Sequence, residues 1–146
     1  MNPTVRNIVA VVAGIVVCML VNGGIISMSA SVIPPPEGVK VDDMESIRAN
    51  VHLFQAKHFL MPFFAHALGS LLGGLIAARI AATRKMAFSL VIGFVHLLGG
   101  ILAAFLIPAP VWFIVLDLFV AYVPMAWLGG KLGRGSLAAG SQAPAH

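Results

Sequence analysis

Four long apolar stretches separated by short polar breaks organise this chain. They run from about Asn7 to Ser29, Phe59 to Ala82, Met86 to Ile107 and Val111 to Leu128. Each meets or approaches the ~20 residues that a helix needs to cross a ~30 Å hydrocarbon core. None alternates as a strand does, and in lipid only helices or closed barrels satisfy the backbone. The pattern predicts an all-α fold, a four-helix transmembrane bundle over residues 1–132. The remaining stretch, 133–146, is rich in Gly, Ala and Ser and reads as a flexible tail.

The one sizeable break, residues 30–58, has a pattern of its own. Pro34, Pro35 and Pro36 stiffen its start as an extended segment. Asp42 with Glu45 three residues on reads as a capping box. Met44, Ile47, Val51 and Phe54 then recur at helical spacing and give one apolar stripe. A short interfacial helix in the loop between spans 1 and 2 is expected, lying on the membrane as an anchor rather than closing as a substrate lid. His52, Lys57 and His58 fall at the same interface, where polar side chains are at home.

Composition moves the picture from long helices to a membrane. Of 146 residues, 60% are hydrophobic and 10% charged, with mean hydropathy +0.99. A soluble domain carries about a quarter charged residues, so the surplus of apolar side chains has lipid as its solvent. The expected partner is therefore the lipid bilayer. The net charge of +4 does not point to nucleic acid, because the basic residues stand singly or in pairs at segment ends. Arg6, Arg79, Arg84, Lys85, Lys131 and Arg134 fall on one side. Lys40, Arg48 and Lys57 fall on the other, beside Glu37, Asp42, Asp43 and Glu45. The positive-inside bias places both termini in the cytoplasm. Span 1 also imitates a signal peptide through Arg6, its apolar run and Ser27 to Ala30, but the run is long for one and is read as retained. Cys18 stands alone, which excludes an internal disulfide and suits a small packing residue.

Glycine adds the packing logic. Lipid gives no hydrophobic drive between helices, so close contact needs small residues. Ala65, Gly69, Gly73 and Ala77 make a ladder down span 2, and Gly93, Gly99, Gly100 and Ala104 mark span 3. The strings Leu71 to Ala78 and Leu97 to Ala104 nearly repeat one another, as inverted transporter repeats do, but shared packing demand explains them more simply. These stripes also suggest a homo-oligomer. Trp112 and Trp127 read as interface anchors, and Pro124 predicts a kink that frees the Val120 carbonyl.

Candidate chemistry is confined to a few polar groups inside the apolar runs. His66, His96 and Asp117 lie on three different spans, and Asn22 lies on the fourth. Ionisable groups at membrane depth are costly and mark functional sites by default. His66 shares a helix face with Gly69, Ser70 and Gly73; His96 with Gly93, Gly99 and Gly100; Asn22 with Cys18 and Ser29; Asp117 with Ala121 and Pro124. All four are expected to point into the bundle. At ~1.5 Å per residue, Asn22, His66 and Asp117 lie roughly 10 Å inside the outer ends of their spans, and His96 roughly 16 Å. The leading expectation is a buried hydrogen-bonded polar layer that fixes helix register in a small structural or accessory membrane protein. A proton-coupled or ion-conducting carrier acting as an oligomer is the alternative, since histidine titrates near neutral pH and relays protons. A metal or haem protein is the third reading. No compact ligand motif such as HExxH or CxxC appears, so neither metal nor cofactor is expected, and the chain is read as a non-enzyme.

The strings Ile33 to Gly38, Ala65 to Gly69 and Ala121 to Trp127 resemble those of small bacterial four-span proteins with no assigned activity. The resemblance spans most of the chain outside the tail and implies a bacterial inner-membrane protein. Small multidrug exporters have a similar size but depend on a carboxylate in the first span, and span 1 has none.

Overall fold

A computed structural model of the chain describes residues 1–135, so all of the expected 133–146 tail beyond 135 lies outside the described residues. Among those described, every regular element is helical, and four helical stretches are long and apolar enough to cross a membrane. Helix α1 spans Pro3–Val32, α3 Leu60–Ile80 and α4 Lys85–Leu106. The fourth crossing is split into α5, Val111–Val120, and α6, Val123–Gly135. Between α1 and α3 lies the short helix α2, Met44–Ala49, followed by two 3-10 turns, Val51–Leu53 and Ala56–Phe59.

Helix boundaries follow local chemistry. The Asn2 side chain accepts a hydrogen bond from Thr4 N at 2.9 Å, and Pro3 occupies the first turn, where its missing N–H costs nothing. α1 stops as Ile33 turns extended, because the residue before a proline disfavours helical geometry. Ile107, before Pro108, stops α4 in the same way. Asp43, rather than the expected Asp42, caps α2: its carboxylate accepts from Glu45 N at 3.0 Å, while Asp42 belongs to the preceding turn. α2 is also shorter than expected, so Val51 and Phe54 leave the helix and the four-residue apolar stripe is broken. Arg48 Nε nonetheless ties α2 down by donating to the Leu106 carbonyl at 2.7 Å, one of the acceptors that the end of α4 leaves free.

The fourth crossing details one expectation from the sequence and corrects another. The expected kink takes the form of a two-residue interruption at Ala121 and Tyr122, flanked by the bonds Ala121 N to Asp117 O and Ala126 N to Tyr122 O, because the Pro124 ring cannot pass the carbonyl four residues back and α6 restarts with proline in its first turn. Moreover, α6 continues through Lys131 to Gly135, where the sequence pattern ended the span at Leu128 and began a flexible tail at 133. The glycines at 129, 130 and 133 carry the helix on because they are buried against its neighbours.

Helix α3 is central, packing against α1, α4 and α6. Small residues set these contacts. A Cβ on Gly73 would lie 2.7 Å from the Gly14 carbonyl oxygen, and one on Gly14 would lie 2.9 Å from that of Gly73, so the α1 and α3 backbones touch. Gly129 lies so close to the Leu71 carbonyl and Leu75 N of α3 that no side chain fits there. Gly69, Gly93 and Gly100 are likewise packed against other helices of the same chain. Gly99 is not: a Cβ there meets nothing, because that side of α4 faces outward. Gly23 and Gly24 are equally open. The two near-identical strings therefore differ in use, since both glycines of the first are buried and only one of the second is. The outer surface is apolar, with Leu98, Phe105 and Phe119 among its most exposed side chains.

The two ends of the bundle differ. At the basic end, where the N-terminus and the α3–α4 turn meet, Asn7 Oδ1 accepts from Ala82 N and Thr83 N, and Asn7 Nδ2 donates to Thr83 Oγ1. Arg6 Nε donates to the Ile80 carbonyl there. The turn closes with Arg84 at φ 42, a left-handed conformation unusual for a residue with a side chain. The opposite, loop end carries residues 33–59 and the α4–α5 connection.

Candidate functional site

The structure brings His66, His96 and Asp117 together within the loop-end half of the bundle. Asp117 is buried on α5, and its two carboxylate oxygens each lie 2.9 Å from His66 Nδ1 on α3. The Tyr122 hydroxyl donates to Asp117 Oδ2 at 2.8 Å and stands 2.9 Å from His66 Nδ1. A carboxylate beside Nδ1 fixes the proton on that nitrogen, so His66 donates and Asp117 accepts twice over. Three elements thus close on one buried acid: α3, α5 and the break that starts α6.

The second half of the network is built around His96 on α4. His96 Nδ1 lies 2.9 Å from Ser70 Oγ on α3 and 3.2 Å from Cys18 Sγ on α1. The two halves meet through ring contacts rather than hydrogen bonds. Tyr122 stacks on His66 at 5.3 Å between ring centres and meets His96 edge-on at 5.0 Å. The histidine rings themselves stand 5.8 Å apart and nearly perpendicular.

Counted from the loop end at ~1.5 Å per residue, His66 and Asp117 lie about 9 Å down their helices, His96 about 15 Å and Cys18 about 21 Å. The polar groups descend to mid-bundle and stop. Below them come Gly14, Gly73, Ile92 and Ala77 in direct contact, an apolar seal with no polar side chain. The next buried polar group, Ser89, turns away and donates to the Ala126 carbonyl at 2.6 Å.

Asn22 does not join the layer expected of it. It sits on α1 one turn from Cys18, and its Oδ1 is buried with no hydrogen-bond partner among the described residues. Conversely, the sequence reading placed Ser70 and Cys18 only as face neighbours of the histidine and asparagine, and left Tyr122 out of the layer altogether. Tyr122 is the chain's one tyrosine and is fully buried, so its presence in an otherwise hydrocarbon-like span was the available signal.

Two cavities abut the network. One, of about 120 Å³, lies between α3, α4 and α5; Pro62, Ala103, Ala104, Phe113 and Leu118 wall it, and Asp117 is the sole polar side chain on its lining. The other, of about 140 Å³, lies between α1 and α4, with Cys18, His96 and Gly99 on its walls. Among the described residues no three His, Cys, Asp or Glu side chains stand where they could hold a metal ion together. No family model matches the chain, and no curated protein or solved structure is detectably similar to it.

Proposed function

We propose that this is a structural or accessory protein of the bacterial inner membrane, non-enzymatic, with both termini in the cytoplasm and its polar network serving as a clasp between helices. One observation carries the reading: the polar groups bond to one another in the loop-end half and end above a layer of helix backbones in direct contact. An ion or proton path needs polar groups or water across the whole core, because a charge at its centre costs about 2.5–3.5 kcal/mol or more. The clasp instead satisfies the hydrogen bonds of a buried acid within the chain. Homo-oligomer formation through the glycine stripes finds less support, since Gly69, Gly73, Gly93 and Gly100 are occupied by contacts inside one chain.

Proteoliposomes loaded with a pH-sensitive dye test this reading. Under an imposed potential the protein is expected to pass protons no faster than protein-free vesicles, and Asp117→Asn and His66→Ala are expected to leave that rate unchanged while lowering thermal stability. Flux above background that disappears in Asp117→Asn would replace the clasp with a carrier.

A further inference from the structure

The cavity above Asp117 has the dimensions and chemistry of a binding site. Its volume of about 120 Å³ approaches that of an engineered protein cavity of ~150 Å³ that takes up benzene, so it admits a single six-membered ring. Small residues on α4, Gly100, Ala103 and Ala104, leave this space open, and Phe59 and Phe113, 4.8 Å apart between ring centres, flank it on the loop side. A lining of this kind favours an aromatic ring over a flexible polar group.

The single polar feature decides the head group. Asp117 meets His66 Nδ1 at both oxygens and Tyr122 at Oδ2, three contacts against the about four lone-pair sites of a carboxylate, so acceptor capacity remains. A guest must therefore bring a donor. A carbonyl or a second carboxylate would face an acceptor with nothing to share. An ammonium would bring three donors to a wall whose lining offers one acceptor side chain, leaving the others unmatched. A hydroxyl on the ring satisfies both conditions without adding charge.

The surroundings provide for a tail. Leu118 borders both this cavity and a larger open groove of about 470 Å³ on the outer face, lined by Leu97, Ile101, Phe119, Val123 and Pro124. The groove is wholly apolar in its side chains and open to lipid. We infer that the cavity binds the hydroxylated aromatic head of a membrane-dissolved amphiphile, a quinol or alkylphenol, with the ring above Asp117 and the tail along the groove between α4 and the broken fourth crossing.

Trp112 packs edge-on against Phe59 at 5.8 Å and reports on the cavity mouth, so a Trp127→Phe protein in phosphatidylcholine nanodiscs has one fluorophore in the right place. Titration with 4-heptylphenol is expected to change its emission saturably. The methyl ether 4-heptylanisole, which partitions into lipid but lacks the donor, is expected to bind at least tenfold more weakly. Ala104→Leu, which fills the cavity, is expected to abolish the saturable change while Asp117 keeps its partners. A response that never saturates, equal affinity for phenol and ether, or unchanged binding in a folded Ala104→Leu protein each overturns the proposal. The phenol–ether comparison needs no cavity variant and stands even if Ala104→Leu does not fold.

Discussion

Removing His66 should cost more than removing Asp117, and the two losses should not add. In His66→Ala, the carboxylate loses the Nδ1 donor at 2.9 Å and keeps only the Tyr122 hydroxyl at 2.8 Å, inside a bundle where Asp117 is buried. Hydrogen bonds to charged groups contribute about 1.5–3 kcal/mol, and stripping one partner from a buried ion pair costs about 3–5 kcal/mol. Two facts lower the figure here. The His66 side chain is 18% exposed, and hydrogen bonds between helices in a bilayer average only ~0.6 kcal/mol, because the unfolded helices find other partners. A loss of about 2 kcal/mol is the reasoned value. Asp117→Ala is different, because it leaves the His66 Nδ1 and the Tyr122 hydroxyl already 2.9 Å apart and able to bond to each other. About 1 kcal/mol is expected for that change.

The double variant His66→Ala, Asp117→Ala leaves no unmatched acid, so it should be more stable than the sum of the single losses by about 1 kcal/mol or more. Unfolding equilibria of the four proteins in bicelles, followed by steric trapping or by SDS titration, give the coupling directly. A coupling below about 0.5 kcal/mol would show that the clasp is no more than an average interhelical contact. An Asp117→Ala protein less stable than His66→Ala would refute the substitution of Tyr122 for the lost acid.

Other positions separate the packing claims from one another. Gly129→Val should lose at least about 2 kcal/mol, since its side chain would meet rigid α3 backbone, whereas Gly99→Ala should be neutral or gain up to about 1 kcal/mol from helix propensity; thermal unfolding in detergent ranks them. Gly100→Ala places a methyl on the Tyr122 hydroxyl and ring, so it should cost about 1–3 kcal/mol and shift the near-ultraviolet tyrosine signal, while Ala103→Gly should leave that signal alone. Asn22→Leu removes a buried oxygen that has no partner and should be neutral or stabilising by about 1 kcal/mol, the opposite of what a working member of the polar network would show. Asn7→Ala deletes three hydrogen bonds to the α3–α4 turn and should cost about 1–2 kcal/mol, with amide exchange rising first at Ala82 and Thr83.

Hydropathy made the four crossings legible because lipid leaves the backbone no other solution, and face arithmetic put His66, His96 and Asp117 on inward surfaces for the same reason. What it could not supply was contact between helices. Asn22 has the right depth and the right face, yet whether a side chain meets a partner depends on the rotation and offset of α1 against α3, set by the Gly14–Gly73 crossing. Gly99 and Gly100 look interchangeable in the string, but adjacent positions on a helix differ by about 100° and only one of them can face Tyr122. The break at Ala121 and Tyr122 was visible only as a proline. Its extent, and the continuation of α6 through glycines, depended on burial against α3.

That break also explains why Tyr122 escaped a reading based on helix faces. In an unbroken helix, residues five apart are rotated by about 140°, so the side chains of Asp117 and Tyr122 would diverge. They meet at 2.8 Å where the regular helix lapses: Ala121 N still donates to the Asp117 carbonyl, and the departure falls at Tyr122 itself. Pro124 imposes the departure, since its ring excludes the Val120 carbonyl from the usual path. Gly100 makes room for the result, as no side chain on α4 fits where the Tyr122 ring arrives. The hydroxyl then reaches back to Asp117, and the ring fills the space between the two histidines. A proline that looks like a defect in a membrane helix is thus the cause of the site's third member, acting two residues away without touching the acid. A polar layer in a small bundle is therefore positioned as much by the residues that interrupt its helices as by the polar residues themselves.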